Sequence, residues 1–267
     1  MAVVWCVVAL GSLGNRTLRI SIFKFDFPNH PAVAVTFDLF GTLVEAAYPD
    51  DPAAAVAAEL DTLGVAVPDD WDDAYLEVHI DAPEGAEVPL PAHVSAALGS
   101  RDVDAPNNAA RRAVVNAFDP EIRTRADAVA AVEAAADRGP VGLLSNCSVP
   151  ELARRTLIRS EIPNDAFDAT VTSVACGWRK PDARAFETVA SALGVAPADL
   201  VHVGDDARTD GGIEALGGEF VDVSDTPLSA VAARFQSGRT GDCSGGPTDD
   251  TDDTNCTEHA DPDTEAE

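Results

Sequence analysis

Lysine is almost missing from this sequence. Of its 18 basic residues only Lys24 and Lys180 are lysines, and the other sixteen are arginines. A composition that has nearly eliminated lysine makes each remaining one a candidate for chemistry. Basic charge as a whole is scarce: 46 acidic residues leave a net charge of −28. Such a surface repels nucleic-acid phosphates and anionic lipid head groups, so neither is an expected partner. No apolar run is long enough to span a bilayer. The longest, Ala2–Leu13, is only about a dozen residues and lacks a preceding basic residue, which also makes it a poor signal peptide. The five cysteines (Cys6, Cys147, Cys176, Cys243, Cys256) are scattered and odd in number, so no disulfide framework is expected and a reducing cytoplasm suits them. Cys243, Cys256 and His259 fit no zinc-ligand spacing well.

Aromatics are also few, at 6%, and acidity with few aromatics is ordinarily the mark of disorder. Against this stand the 46% hydrophobic residues, which fall into periodic runs. A folded protein with a solvated acidic shell accounts for both, as in a cell that keeps molar salt in its cytoplasm, where screening acts within about 3 Å.

Ala32–Phe37 is a short apolar run ending at Asp38 and reads as a buried parallel strand. Similar runs recur at Val141–Leu144, Ala169–Val174, Leu200–Val203 and Glu219–Val223. Helical patterns alternate with them: Arg125–Arg138, Val149–Ser160, Asp182–Leu193, Arg208–Leu216 and Thr226–Phe235. This alternation predicts a doubly wound α/β fold, whose ligands bind outside the carboxyl ends of the strands. The expected core is 32–48 and 125–236. Residues 49–124 interrupt the pattern with Pro- and Asp-rich turns and helical stretches at Ala53–Leu63 and Trp71–Ile80, predicting a small, mostly helical cap inserted after strand one. Residues 237–267 have almost nothing to bury and are expected to be a disordered acidic tail. Residues 1–31 read as a dispensable extension, or as supplying an extra edge strand around Leu18–Phe25.

Four strand ends carry candidate chemistry. Asp38-Leu39-Phe40-Gly41-Thr42-Leu43 offers a carboxylate at the end of a buried strand, able to attack an electrophile, with a glycine that frees the chain to turn. Ser145-Asn146 places a hydroxyl and amides where an anion could be cradled. Lys180-Pro181-Asp182 places an ammonium before a helix start. Gly204-Asp205-Asp206 and Asp210 gather carboxylates that would repel one another without a cation, for which Mg²⁺ is the natural choice. Each motif alone also fits ordinary turn, cap or surface roles.

Their order and strand-end placement resemble the four motifs of the haloacid dehalogenase superfamily, from about Ala32 to Phe235, with a Rossmann-like parallel sheet and a cap in one large branch. The resemblance implies a hydrolase with Asp38 as nucleophile. Ser145, with Thr42 and Asn146, would bind the transferring group, and Lys180 would stabilise its charge. Mg²⁺ would sit on Asp38, the Phe40 carbonyl and Asp205, with Asp206 and Asp210 as further candidates. Family phosphatases usually carry a second Asp two residues after the nucleophile, where this chain has Phe40. Dehalogenases put an aromatic near that position, but they need no metal and use an arginine soon after the nucleophile; none occurs here between Arg19 and Arg101. Phosphonate-cleaving relatives use a cap lysine, which this cap lacks. The expected function is therefore a cytoplasmic Mg²⁺-dependent phosphatase on a small anionic, phosphorylated metabolite, with His79 or His93 as candidate proton donors from the cap. The alternatives are 2-haloacid dehalogenation and a catalytically weak binding or regulatory member. Cys147, Trp71, Tyr75 and Trp178 read as packing residues.

Overall fold

Five parallel strands form the floor on which everything else is arranged. They are β1 (Ala34–Phe37), β4 (Val141–Ser145), β5 (Ala169–Thr172), β6 (Leu200–Gly204) and β7 (Glu219–Asp222), in the order β5-β4-β1-β6-β7. A computed structural model describes residues 33–237. Lys24, Cys6, the Leu18–Phe25 segment, the acidic tail and the Cys243–Cys256–His259 set lie outside the described residues. β1, β4 and β6 are buried along their whole length, which is why they read as continuous apolar runs. β1 pairs with β4 on one side and β6 on the other, placing Phe37 level with both Leu143 and Val203. The chain therefore leaves the central strand in two directions, and the carboxyl ends of β1, β4 and β6 converge at the switch point.

Helices cover both faces. α5 (Ala128–Ala136) and α9 (Leu228–Ser237) pack one face through Ala131, Ala135, Val231 and Phe235. The run of alanines in α5 permits close approach. α8 (Ala183–Leu193) packs the other face with Phe186 and Val189. Its ends follow the sequence closely: the Asp182 carboxylate accepts the Arg184 amide at 2.9 Å, and Gly194 closes the helix at φ +72°. α6 (Leu152–Arg159) and the short α7 (Ser173–Cys176) complete the helices of the core. No described helix is long and apolar enough to cross a membrane.

Between β1 and α5 lies an insert of four helices: α1 (Pro52–Thr62), α2 (Trp71–Leu76), α3 (Leu90–Gly99) and α4 (Ala109–Ala117). They enclose a hydrophobic cluster of their own, centred on Val56, Leu60, Trp71, Val94, Leu98 and Val114. Trp71 ties α2 to α1 by donating its indole N–H to the Ala53 carbonyl at 2.9 Å. The cluster extends to Cys147, Val149 and Leu152 of the core. The insert is framed by a two-stranded antiparallel ribbon of β2 (Val44–Ala46) and β3 (Ile122–Thr124), with Glu45 opposite Arg123.

Several expectations need correction. The helix expected at Arg208–Leu216 is a 3₁₀ segment, Asp210–Leu216, because Gly211 and Gly212 weaken an α-helix at its start. The strand expected to run to Val174 stops at Thr172, where α7 begins. The helix expected over Trp71–Ile80 ends at Leu76, since Glu77 is extended.

Candidate active site

The loop after β1 begins with Asp38, whose backbone N–H donates to the Val203 carbonyl at 2.9 Å and so continues the sheet by one residue. Its neighbour two places on, Phe40, turns its ring into the seam between core and insert and meets Tyr48 edge-on, with centroids 5.7 Å apart. Gly41 follows at φ +86°, and a Cβ there would overlap the Asp205 carboxylate. Only glycine permits both the turn and the approach. The Thr42 hydroxyl then donates to Asp205 Oδ1 at 2.7 Å. Arg125 braces this loop from the far side of the ribbon by donating to the Gly41 carbonyl.

Lys180 comes from the opposite direction and is almost wholly buried. Its Nζ donates to the Leu144 carbonyl at 2.8 Å and to Asp210 Oδ1 at 2.6 Å, and stands 3.0 Å from Asp38 Oδ1. The contact with Asp38 is an ion pair without hydrogen-bond alignment. Asn146 brackets the lysine backbone: its Oδ1 accepts the Lys180 N–H at 2.8 Å and its Nδ2 donates to the Lys180 carbonyl at 3.0 Å. Asn146 therefore holds Lys180 in place with one bond from each end of its amide. Ser145, 1% exposed, has a hydroxyl with no hydrogen-bond partner among the described residues. A buried hydroxyl of this kind is costly unless something else satisfies it.

Asp38, Asp205 and Asp210 place carboxylate oxygens within 4.8 Å of one another. Burial, with the negative charges of Asp38 and Asp210, raises the Asp205 carboxyl above its usual range despite the Thr42 hydrogen bond. Burial would raise Asp210 too, but the His202 hydrogen bond and the Lys180 charge outweigh it and hold the group well below the usual range. Asp206 does not join this group. Its carboxylate takes both Nε and Nη2 of Arg208, at 3.1 and 3.0 Å, and it meets Asp210 through its backbone alone, donating its N–H to Asp210 Oδ2 at 3.1 Å and accepting the Asp210 N–H at 2.8 Å.

Sequence reasoning missed His202. This fully buried imidazole in β6 donates Nε2–H to Asp210 Oδ1 at 3.1 Å and takes the Thr36 hydroxyl on Nδ1 at 2.8 Å. Burial lowers its pKa, so it is a neutral donor. Inside an apolar strand run it looks like a core residue, and its only sequence signal is its place two residues before Gly204. His79 and His93 instead lie together in the insert, rings 5.9 Å apart, with Nε2 committed to the Ala74 and Tyr75 carbonyls at 2.7 Å each. Burial raises the Cys147 thiol, which donates to the Val149 carbonyl at 3.3 Å, as suits a packing residue.

The strand ends thus bring together three carboxylates and an ammonium, and one of them, that of β4, also carries a buried hydroxyl with no partner among the described residues. Comparison with known proteins gives the family. A family model described as haloacid dehalogenase-like hydrolase matches residues 33–217. Among curated proteins none matches the sequence. Solved structures are similar at low identity. A haloacid dehalogenase-like family hydrolase from Xanthomonas campestris is 16% identical at TM-score 0.51, covering 79% of this chain and 93% of its own. A HAD phosphatase from Thermococcus onnurineus is 20% identical at TM-score 0.44, covering 71% and 85%. A 2-haloacid dehalogenase from Pseudomonas syringae is 18% identical at TM-score 0.48, also covering 71% and 85%. The fold, the four strand-end motifs and the matched span lead to one conclusion: this chain belongs to the haloacid dehalogenase-like hydrolase family.

Proposed function

We propose that the protein is a Mg²⁺-dependent phosphatase acting on a small phosphorylated metabolite. The observation that carries this reading is the set of three converging carboxylates, Asp38, Asp205 and Asp210, beside a single ammonium, Lys180. Three negative charges against one positive charge suit a site that takes a divalent cation. Asp38, Asp205 and the Phe40 carbonyl would hold the Mg²⁺, with Asp210 behind them. Bound there, the ion supplies charge neutralisation for phosphoryl oxygens.

The chain's own groups account for the remaining steps. Asp38 attacks phosphorus, the bond from phosphorus to the leaving oxygen breaks, and a phosphoryl-aspartate forms, which water then hydrolyses to phosphate. Lys180 offsets charge on the transferring group, and the unpartnered Ser145 hydroxyl supplies it with a hydrogen bond. Phe40 cannot protonate a leaving group, and the two insert histidines are committed to carbonyls. Substrates whose leaving oxygen departs without help, such as acyl phosphates or enol phosphates, fit best. The acidic surface suits a salt-rich cytoplasm, so the assay belongs in molar KCl.

Dehalogenation is favoured by one observation, the aromatic at Phe40. Against it, Arg125, which reaches the loop after Asp38, is engaged with the Gly41 carbonyl, and in the insert Arg101 pairs with Asp70 and Glu77 and Arg111 with Glu151. Phosphate release from acetyl phosphate and p-nitrophenyl phosphate, measured with Mg²⁺ and with EDTA, tests the proposal. The expected result is Mg²⁺-dependent turnover, faster on acetyl phosphate. Halide release from a 2-haloacid in EDTA, with no phosphate release under either condition, would overturn it. Inactivity on every substrate would favour a binding or regulatory role.

A further inference from the structure

The insert contributes one buried charge to the core that the proposed chemistry does not use. Glu87 lies in the segment between α2 and α3, and its side chain is 1% exposed. Its Oε2 accepts the Ser173 hydroxyl at 2.5 Å, and Ser173 Oγ in turn accepts the Cys147 backbone N–H at 2.8 Å. The relay therefore runs from the amide two residues after Ser145, through a buried hydroxyl, to a carboxylate of the insert. Each member uses the donor or acceptor it has, and hydrogen bonds in such a chain reinforce one another. On its other side Glu87 Oε1 faces Arg179 Nη1 at 3.5 Å, one residue before Lys180.

The backbone around Glu87 repeats the pattern. The Glu87 N–H donates to the Gly177 carbonyl and the Arg179 N–H to the Gly85 carbonyl, both at 2.9 Å. Ala86 and Trp178 pair as an antiparallel bridge between them. Three residues on, the Leu90 N–H donates to the Ser148 carbonyl at 2.9 Å. One short stretch of the insert is thus stitched to both loops that carry Ser145–Asn146 and Lys180. A buried carboxylate costs free energy unless it is hydrogen-bonded and paired, and Glu87 meets that cost only through the groups that hold these loops, Ser173 and Arg179.

We infer that Glu87 is a positioning residue, through which the insert sets the loops bearing Ser145, Asn146 and Lys180. It acts on the reacting groups through Ser173, Cys147 and Arg179 and does not touch substrate. In its activity arm the inference rests on the phosphatase reading; in its structural arm it does not.

The test compares Glu87→Ala and Glu87→Gln with the wild-type full chain. Glutamine keeps an oxygen that accepts the Ser173 hydroxyl, so it should preserve the relay. Hydrogen exchange is followed in peptides covering residues 145–149 and 177–181, and acetyl phosphate turnover is followed with Mg²⁺. In Glu87→Ala, exchange in both peptides should rise about tenfold or more. The kcat should fall about 10–100-fold while KM changes less than about threefold. Glu87→Gln should recover kcat to within about threefold of wild type. Unchanged exchange in either peptide of Glu87→Ala overturns the inference, whatever happens to activity. So does raised exchange with an unaltered kcat, or a Glu87→Gln variant as impaired as Glu87→Ala. Should the wild type release no phosphate at all, the phosphatase reading fails by itself and exchange alone decides the coupling.

Discussion

The two sides of the site differ in how well their polar atoms are satisfied. On the Lys180 side the groups form a closed chain: Thr36 to His202, His202 to Asp210, Asp210 to Lys180, and Lys180 to the Leu144 carbonyl. All are buried, and each finds its partner within the protein. The other side is a looser set drawn from both flanks of β1: the Ser145 hydroxyl at the end of β4 has no partner among the described residues, and Asp205 after β6 is half-buried with one side-chain hydrogen bond from Thr42. The satisfied side behaves as scaffold, already organised before any ligand arrives. The unsatisfied side is where the structure has left capacity for one. Under the proposed phosphatase reading, the first would fix the charge and the second would receive the group being transferred.

Substitutions can break this comparison in an ordered way. Asp38→Asn removes the carboxylate proposed as nucleophile and should reduce turnover by at least about 10⁴-fold, as measured by phosphate release. Lys180→Met strikes the satisfied side and should harm both properties. Activity is lost, and the buried Asp38 and Asp210 are left unpaired at about 3–5 kcal/mol, read from denaturant unfolding. Asp205→Asn strikes the open side. Turnover should fall about 10²–10³-fold with a weaker response to Mg²⁺, while Tm holds or rises because one of three neighbouring negative charges has been removed. Ser145→Ala should lower kcat about 10–100-fold and change stability by less than about 1 kcal/mol, since its hydroxyl makes no hydrogen bond to lose. A Ser145→Ala variant that unfolds easily would erase the distinction between the two sides.

The smallest expected effect concerns pH. Burial lowers the His202 pKa below its unfolded value near 6.5. As pH falls through that unfolded value, the unfolded chain takes up a proton that the folded chain refuses. No penalty exists above it; below it stability is progressively lost, until pH drops through the folded value. Thermal unfolding in molar KCl between about pH 7.5 and about pH 5.5 should therefore show a shallower decline for His202→Gln than for wild type.

How much of this could be read from sequence depended on local contrast. The β1, β4 and β6 runs stood out because strands buried on both faces carry no polar alternation, and the residue after each run was conspicuous for that reason. Lys180 was conspicuous because lysine is rare here. The β2–β3 ribbon was not legible, since three-residue strands show no period and are defined only by each other. In α3 and α4 the helix signals were present but modest: Pro91 in the first turn of one and the left-handed Asn108 before the other. Glu87 could not have been found, because in a chain with 46 acidic residues a buried carboxylate looks like any exposed one. Asp206 shows the converse, an acidic neighbour of the cluster drawn outward by Arg208.

The most direct test of the central claim is to trap the covalent intermediate. The protein is mixed with radiolabelled acetyl phosphate and Mg²⁺, quenched in acid, and digested. The account predicts a phosphoryl label on the peptide containing Asp38, lost with hydroxylamine, absent in EDTA and absent from Asp38→Asn. The contradicting result is no label under any condition, with heavy oxygen from labelled water entering Asp38 during turnover of a 2-haloacid. That would mean an ester on Asp38 hydrolysed at its own carbonyl, and a carbon centre attacked in place of phosphorus.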